Sequence, residues 1–190
     1  MSGGGDARHS VMVSVVTRDT VFVADLELPA LELAGSTYHF RLLELLNNPR
    51  IGGLSQGLYQ DSLRLENAYF LPEEGPRIAV APVLFVRPAH LVCAYEYASE
   101  GEPTGVEYDP RRFRRPERVV IALSNDMLID GDVLGGVAAL AAPHTQRRFI
   151  PVVGASLASS KKPQARLGLP FVAVNNEAIV AFSHALEAPG

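Results

Sequence analysis

Two stretches of this chain lie 107 residues apart and repeat one arrangement, which restricts the fold to forms that two similar units can build. Ser124-Asn-Asp-Met-Leu-Ile-Asp-Gly-Asp-Val133 is matched by Thr17-Arg-Asp-Thr-Val-Phe-Val-Ala-Asp-Leu26. In both, a Ser or Thr stands two positions before an Asp, and a second Asp follows six residues later. Such a pattern suits a strand, a tight turn and a returning strand, the opening of a small β-barrel. A second correspondence is independent of the first: Pro82-Val-Leu-Phe-Val86 matches Pro170-Phe-Val-Ala-Val174, and Leu91-Val92 matches Ile179-Val180, both at a spacing of 88. The offset falls from 107 to 88, so the second copy is shorter by 19 residues between its second and fourth strands.

Taken in order, Val11–Val16 and Val21–Leu28 form a predicted hairpin rich in β-branched residues, and Pro29, which cannot donate to a ladder, ends it. The leucine-rich run Tyr38-His-Phe-Arg-Leu-Leu-Glu-Leu-Leu46 reads as an amphipathic helix with Ser36 or Thr37 as N-cap, stopped by Asn47, Asn48 and Pro49. A glycine-rich loop, residues 51–57, lacks the Gly-Lys-Ser/Thr ending of a phosphate loop. Ser62–Phe70, Arg77–Val86 and Leu91–Tyr97 read as the third, fourth and fifth strands. Residues 98–117 change character, acidic first and then arginine-rich, and read as a linker. The second copy then follows as Arg118–Leu123, Met127–Leu134, Arg148–Leu157, Gln164–Val174 and Ala178–Phe182. The expected organisation is therefore all-β. It comprises a first five-stranded barrel over residues 10–97 with one short helix, a charged linker over 98–117, and a second five-stranded barrel over 118–187. The 19 residues absent from the second copy are expected to be the helix and the glycine loop.

Each half resembles an Sm-like, SH3-type small barrel. The resemblance rests on the Asp-containing turn Ile129-Asp-Gly-Asp-Val133 and on a last hairpin that ends in an Ile-Val-x-Phe strand, Ile179–Phe182. The first half is also similar to an uncharacterised bacterial family of such domains, through Arg41-Leu-Leu-Glu-Leu-Leu-Asn47 and a strand ending Asn67-Ala-Tyr69. That resemblance implies edge-to-edge assembly of subunits, and RNA contact through an Arg-Gly step in the last turn. Here the last turns read Arg87-Pro-Ala and Asn175-Asn-Glu, and Pro88 lacks the N–H that a glycine would offer. RNA binding by that route is not expected.

Composition narrows the chemistry further. A net charge of −4 supplies no general attraction to nucleic acid or to an anionic membrane. No run of 18 apolar residues and no apolar signal core near Met1 occur, which predicts a cytoplasmic protein without a membrane partner. The single cysteine, Cys93, lies in the apolar run Leu91–Tyr95 and reads as a buried hydrophobe. Asp126, Asp130 and Asp132 do not follow the alternation of an oxygen-ligand loop, and the five histidines show no paired spacing, so no metal or other cofactor is expected. No Gly-x-Ser-x-Gly elbow occurs, and nothing pairs a nucleophile with a base.

The chain is accordingly expected to be a non-enzymatic interaction or assembly module with a protein partner or a second copy of itself. Two surfaces are candidates: the helix residues Leu42, Leu45 and Leu46, and the cluster Arg111, Arg112, Phe113, Arg114 and Arg115. The alternative is a nucleic-acid-associated protein that grips phosphates with Arg111–Arg115 and with Lys161-Lys162.

Overall fold

The structure is a computed structural model that describes residues 9–33, 36–48, 58–59, 62–72, 75–97, 116–141 and 148–185. The first half carries β1 (His9–Thr17), β2 (Val21–Leu28), β3 (Ala30–Leu33), β4 (Ser36–His39), α1 (Leu42–Asn47), β5 (Leu58–Tyr59), β6 (Ser62–Phe70), β7 (Ile78–Val86) and β8 (Leu91–Glu96). The second carries β9 (Pro116–Leu123), β10 (Met127–Leu134), α2 (Gly136–Ala141), β11 (Phe149–Ser159), β12 (Lys162–Asn175) and β13 (Ile179–His184).

The fold is mainly β and antiparallel, and the two halves repeat one strand order. In the first half β8, β1, β2, β6 and β7 lie side by side; in the second β13, β9, β10, β11 and β12 do. The repeat extends to detail, because β8 and β13 are 88 residues apart end to end, as are the 3₁₀ turns Pro88–His90 and Asn176–Ala178 that precede them.

Two separate closed barrels do not form. Among the described residues the outer strands of a half make no ladder with each other; instead β12 of the second half pairs with β8 of the first, Ala173 opposite Ala94 and Val174 opposite Cys93. Everything except the small β3–β4 hairpin thereby joins one open eleven-stranded sheet. The physical reason lies in β8, whose residues Leu91 to Tyr95 are all buried. A strand apolar on both faces needs cover on both, and the second half supplies it. Each of the two core clusters draws on both halves. Phe149 and Ala173 pack with Val13, Leu26 and Leu63, while Val92, Cys93 and Tyr95 pack with Ile121, Ile129 and Val152.

The connections between second and third strands also differ from expectation. Ser36 and Thr37 belong to β4, which pairs with β3, so the helix starts only at Leu42. Arg41 is its N-cap, with the Arg41 N–H donating to Glu44 Oε2 at 3.0 Å, and the Leu42 N–H donates to Glu96 Oε1 at 2.7 Å. The second half retains a helix of its own, α2, in the corresponding connection. What it lacks is the β3–β4 hairpin, and the glycine-rich residues 51–57 of the first half lie outside the described residues.

Candidate functional site

The repeated turns come together. The first hairpin turns through Thr17–Thr20, closed by the Thr17 N–H on the Thr20 carbonyl at 2.8 Å. The second turns through Asn125 and Asp126, the latter with a positive φ of 61°. Asn125 Nδ2 donates to the Thr17 carbonyl at 3.5 Å, and its Oδ1 is buried with no hydrogen-bond partner among the described residues. A cleft of about 410 Å³ lies between the turns, with Arg18, Asp19, Phe70, Met127, Lys161 and Lys162 among its walls.

The carboxylates of the repeated stretch are engaged with cations. Arg118 Nε donates to Asp130 Oδ1 at 2.7 Å, while Arg118 Nη1 reaches Asp132 at 3.7 Å and donates to the Gly154 carbonyl at 3.1 Å. Lys161 Nζ lies 3.3 Å from Asp126 Oδ2. Strand alternation turns Asp130 and Asp132 outward while Ile129, Gly131 and Val133 face the core. Gly131 has a steric reason: a Cβ there would lie 2.5 Å from Val152 Cγ1 and 3.1 Å from the Ala155 Cα. Among the described residues no group of three or more His, Cys, Asp or Glu side chains gathers where a metal could sit. Burial pushes the Cys93 thiol up to about 12, so it stays protonated and inert at neutral pH.

The sequence-predicted surfaces fare unequally. Leu42, Leu45 and Leu46 are not a surface: all three are buried among Leu26, Leu63 and Phe149. A six-residue helix carrying four leucines hides its apolar stripe in the nearest core, and Asn47 fixes it there. Asn47 Nδ2 donates to the Phe149 carbonyl at 2.9 Å and the Phe149 N–H donates to Asn47 Oδ1 at 2.8 Å. Arg111, Arg112, Phe113, Arg114 and Arg115 lie outside the described residues.

Sequence reading missed the most exposed apolar feature. Strand β7 pairs with β6 on one side, and among the described residues no strand lies on its other side. Along it Ile78, Val80, Val83 and Phe85 are exposed. The opposite end of the sheet is β13, paired with β9 alone, where Val180 is 69% exposed. The signal was present in Ile78-Ala-Val-Ala-Pro-Val-Leu-Phe-Val86: an antiparallel strand with one wet face alternates polar residues, and this one has none. Long apolar edges of this kind template the addition of another strand.

One helix length bears on location: among the described residues no helix is long and apolar enough to cross a membrane. Comparison with protein-family models, with curated proteins and with solved structures finds no match.

Proposed function

We propose that this chain is a non-enzymatic interaction and assembly module of the bacterial cytoplasm, which works by accepting a strand at the edge of β7. The observation that carries the reading is the nine-residue apolar strand Ile78–Val86, left open on one side with Phe85 half exposed. Strand addition supplies main-chain hydrogen bonds for affinity and side-chain contacts for selectivity. The pairing of a fourth strand with a fifth between the two halves supports the resemblance to Sm-like small barrels, whose subunits meet edge to edge. A reducing compartment suits the single buried thiol.

The test is a photo-crosslinking residue in place of Phe85, compared in cells with the same residue in place of exposed Ser160. Covalent protein adducts at position 85 and few at 160 are expected. Absence of adducts at 85 above the level at 160 overturns the reading. Nucleic-acid contact gains no support among the described residues, where Lys161 is paired with Asp126.

A further inference from the structure

We infer that the two open edges are made for each other: β7 of one copy pairs with β13 of the next, in the register of the junction inside the chain. The inference rests on the edge-acting function proposed above and names its partner as a second copy of this chain.

The chain contains one finished example of the contact. At the internal junction the fourth strand of the second half, β12, lies beside the fifth strand of the first, β8. That leaves over one fourth strand, β7, and one fifth strand, β13, each with a neighbour on the same side as its counterpart. Because these strands repeat at a spacing of 88, the internal pairs transpose directly. Ala173 opposite Ala94 becomes Phe85 opposite Phe182, and Val174 opposite Cys93 becomes Val86 opposite Ala181.

Burial shows what the leftover edges lack. Leu91 to Tyr95 of β8 are all buried, whereas Ile179 to Ser183 of β13 are half-buried or exposed. Val92 is 3% exposed, and Val180, its equivalent, is 69% exposed. Ala173 is fully buried, and its equivalent Phe85 is 50% exposed. The same strands in the same fold thus occur once covered and once open, and the uncovered positions are those that the internal junction covers.

Chemistry agrees with the register. Cross-strand aromatic pairs stabilise antiparallel ladders, and the transposed junction sets Phe85 against Phe182. At the internal junction Asn175 Nδ2 donates to the Leu91 carbonyl at 2.8 Å. Transposition puts Arg87 in the place of Asn175 and the Ile179 carbonyl in the place of Leu91, so a side-chain donor still meets a main-chain acceptor. Both fourth strands also carry a proline just before the paired positions, Pro82 and Pro170. Proline cannot donate to a ladder, and the internal pairing does begin after Pro170. Each copy offers one edge of each kind, so the contact is heterologous and propagates into a ring or a filament.

The test mixes two single-cysteine variants, Phe85→Cys and Phe182→Cys, with Cys93 left in place because its thiol is buried; one variant carries a mass tag. Mild oxidation is expected to link position 85 to position 182 in preference to 85–85 and 182–182. Wild-type protein is expected to sediment as an oligomer, and Phe85→Asp as a monomer with an unchanged far-ultraviolet circular dichroism spectrum. A wild-type monomer at the highest soluble concentration, or symmetric links in excess, overturns the inference. If position 85 instead captures a different protein in cells while the chain is monomeric, the edge function stands and the self-pairing falls.

Discussion

Asn175 is the side chain whose removal should most directly report on the internal junction. It is 2% exposed, donates from Nδ2 to the Leu91 carbonyl and accepts at Oδ1 from the Glu177 N–H at 3.1 Å. Truncation in Asn175→Ala leaves the Leu91 carbonyl without its side-chain donor in a residue that is itself 1% exposed. An orphaned buried polar group costs about 1–3 kcal/mol, and the turn loses a second bond at Glu177 worth about 1 kcal/mol. The expected loss is therefore about 2–4 kcal/mol, which at a urea dependence of about 2 kcal/mol per molar moves the unfolding midpoint down by about 1–2 M. Asn175→Asp keeps the acceptor for Glu177 and sets a carboxylate oxygen against the Leu91 carbonyl, so it should cost as much as Ala or more. Tyrosine fluorescence and circular dichroism during urea unfolding make the assay, since the chain has no tryptophan. A loss below about 0.5 kcal/mol for Ala, the range of ordinary surface changes, would refute the claim that this amide holds the junction.

Three further outcomes follow from geometry already described. Asn47→Ala strips two hydrogen bonds from the Phe149 backbone and should cost about 2 kcal/mol or more by urea unfolding, with Asn47→Asp, which keeps only the acceptor, falling between it and wild type. Gly131→Ala forces a methyl against Val152 Cγ1 and two backbone atoms, Ala155 Cα and the Val153 carbonyl, for about 1–3 kcal/mol of overpacking and a lower Tm; Gly168→Ala, with nothing within 4 Å of the added carbon, should leave Tm unchanged. Cys93 has a folded-state pKa raised from an ordinary 9.0 to about 12, so folding favours the protonated thiol and its contribution is intact below pH 9 and lost as pH rises toward 12. Wild type should thus lose about 1.4 kcal/mol more than Cys93→Ala between pH 8 and pH 10, measured by urea unfolding, and parallel losses would contradict it.

The strands and their repeat were legible because they are local: valine-rich runs, Pro29 as a stop, and matching hairpins at a spacing of 88 sit in the order of the chain. The junction between β12 and β8 was not, since pairing between distant segments leaves no periodicity in either. Its trace is indirect, in the unbroken apolar run Leu91–Tyr95 that needs cover on two faces. Helix α2 escaped notice because Gly135 and Gly136 read as breakers; they take φ of 87° and 63° and make the turn into the helix. Leu42, Leu45 and Leu46 were read as surface because their helix has no counterpart of the same sequence in the other half. Their spacing, which places all three on one stripe, was evidence for burial.

How the two fourth strands treat their unpaired stretches separates an edge kept shut from an edge kept open. Beyond its two paired residues, β12 begins Lys162-Pro-Gln-Ala-Arg166, and Arg166 Nη1 lies 3.8 Å from Asp130 Oδ2. Charge and proline are the devices by which sheets discourage edge-to-edge addition. Strand β7 is the corresponding strand of the other half, and between Ile78 and Val86 it carries no charge and a single proline. One ancestral edge has thus been guarded where the internal junction leaves it unpaired, while the other has stayed apolar where nothing in the chain covers it. A strand guarded against all partners would resemble the first, whereas one kept for a partner resembles the second. Replacing Val80 and Val83 with Lys, which gives β7 the charge pattern of β12, should therefore abolish adducts at position 85 while leaving the unfolding midpoint within about 0.5 kcal/mol of wild type. A large fall in stability instead would mean that these side chains serve the core of their own chain.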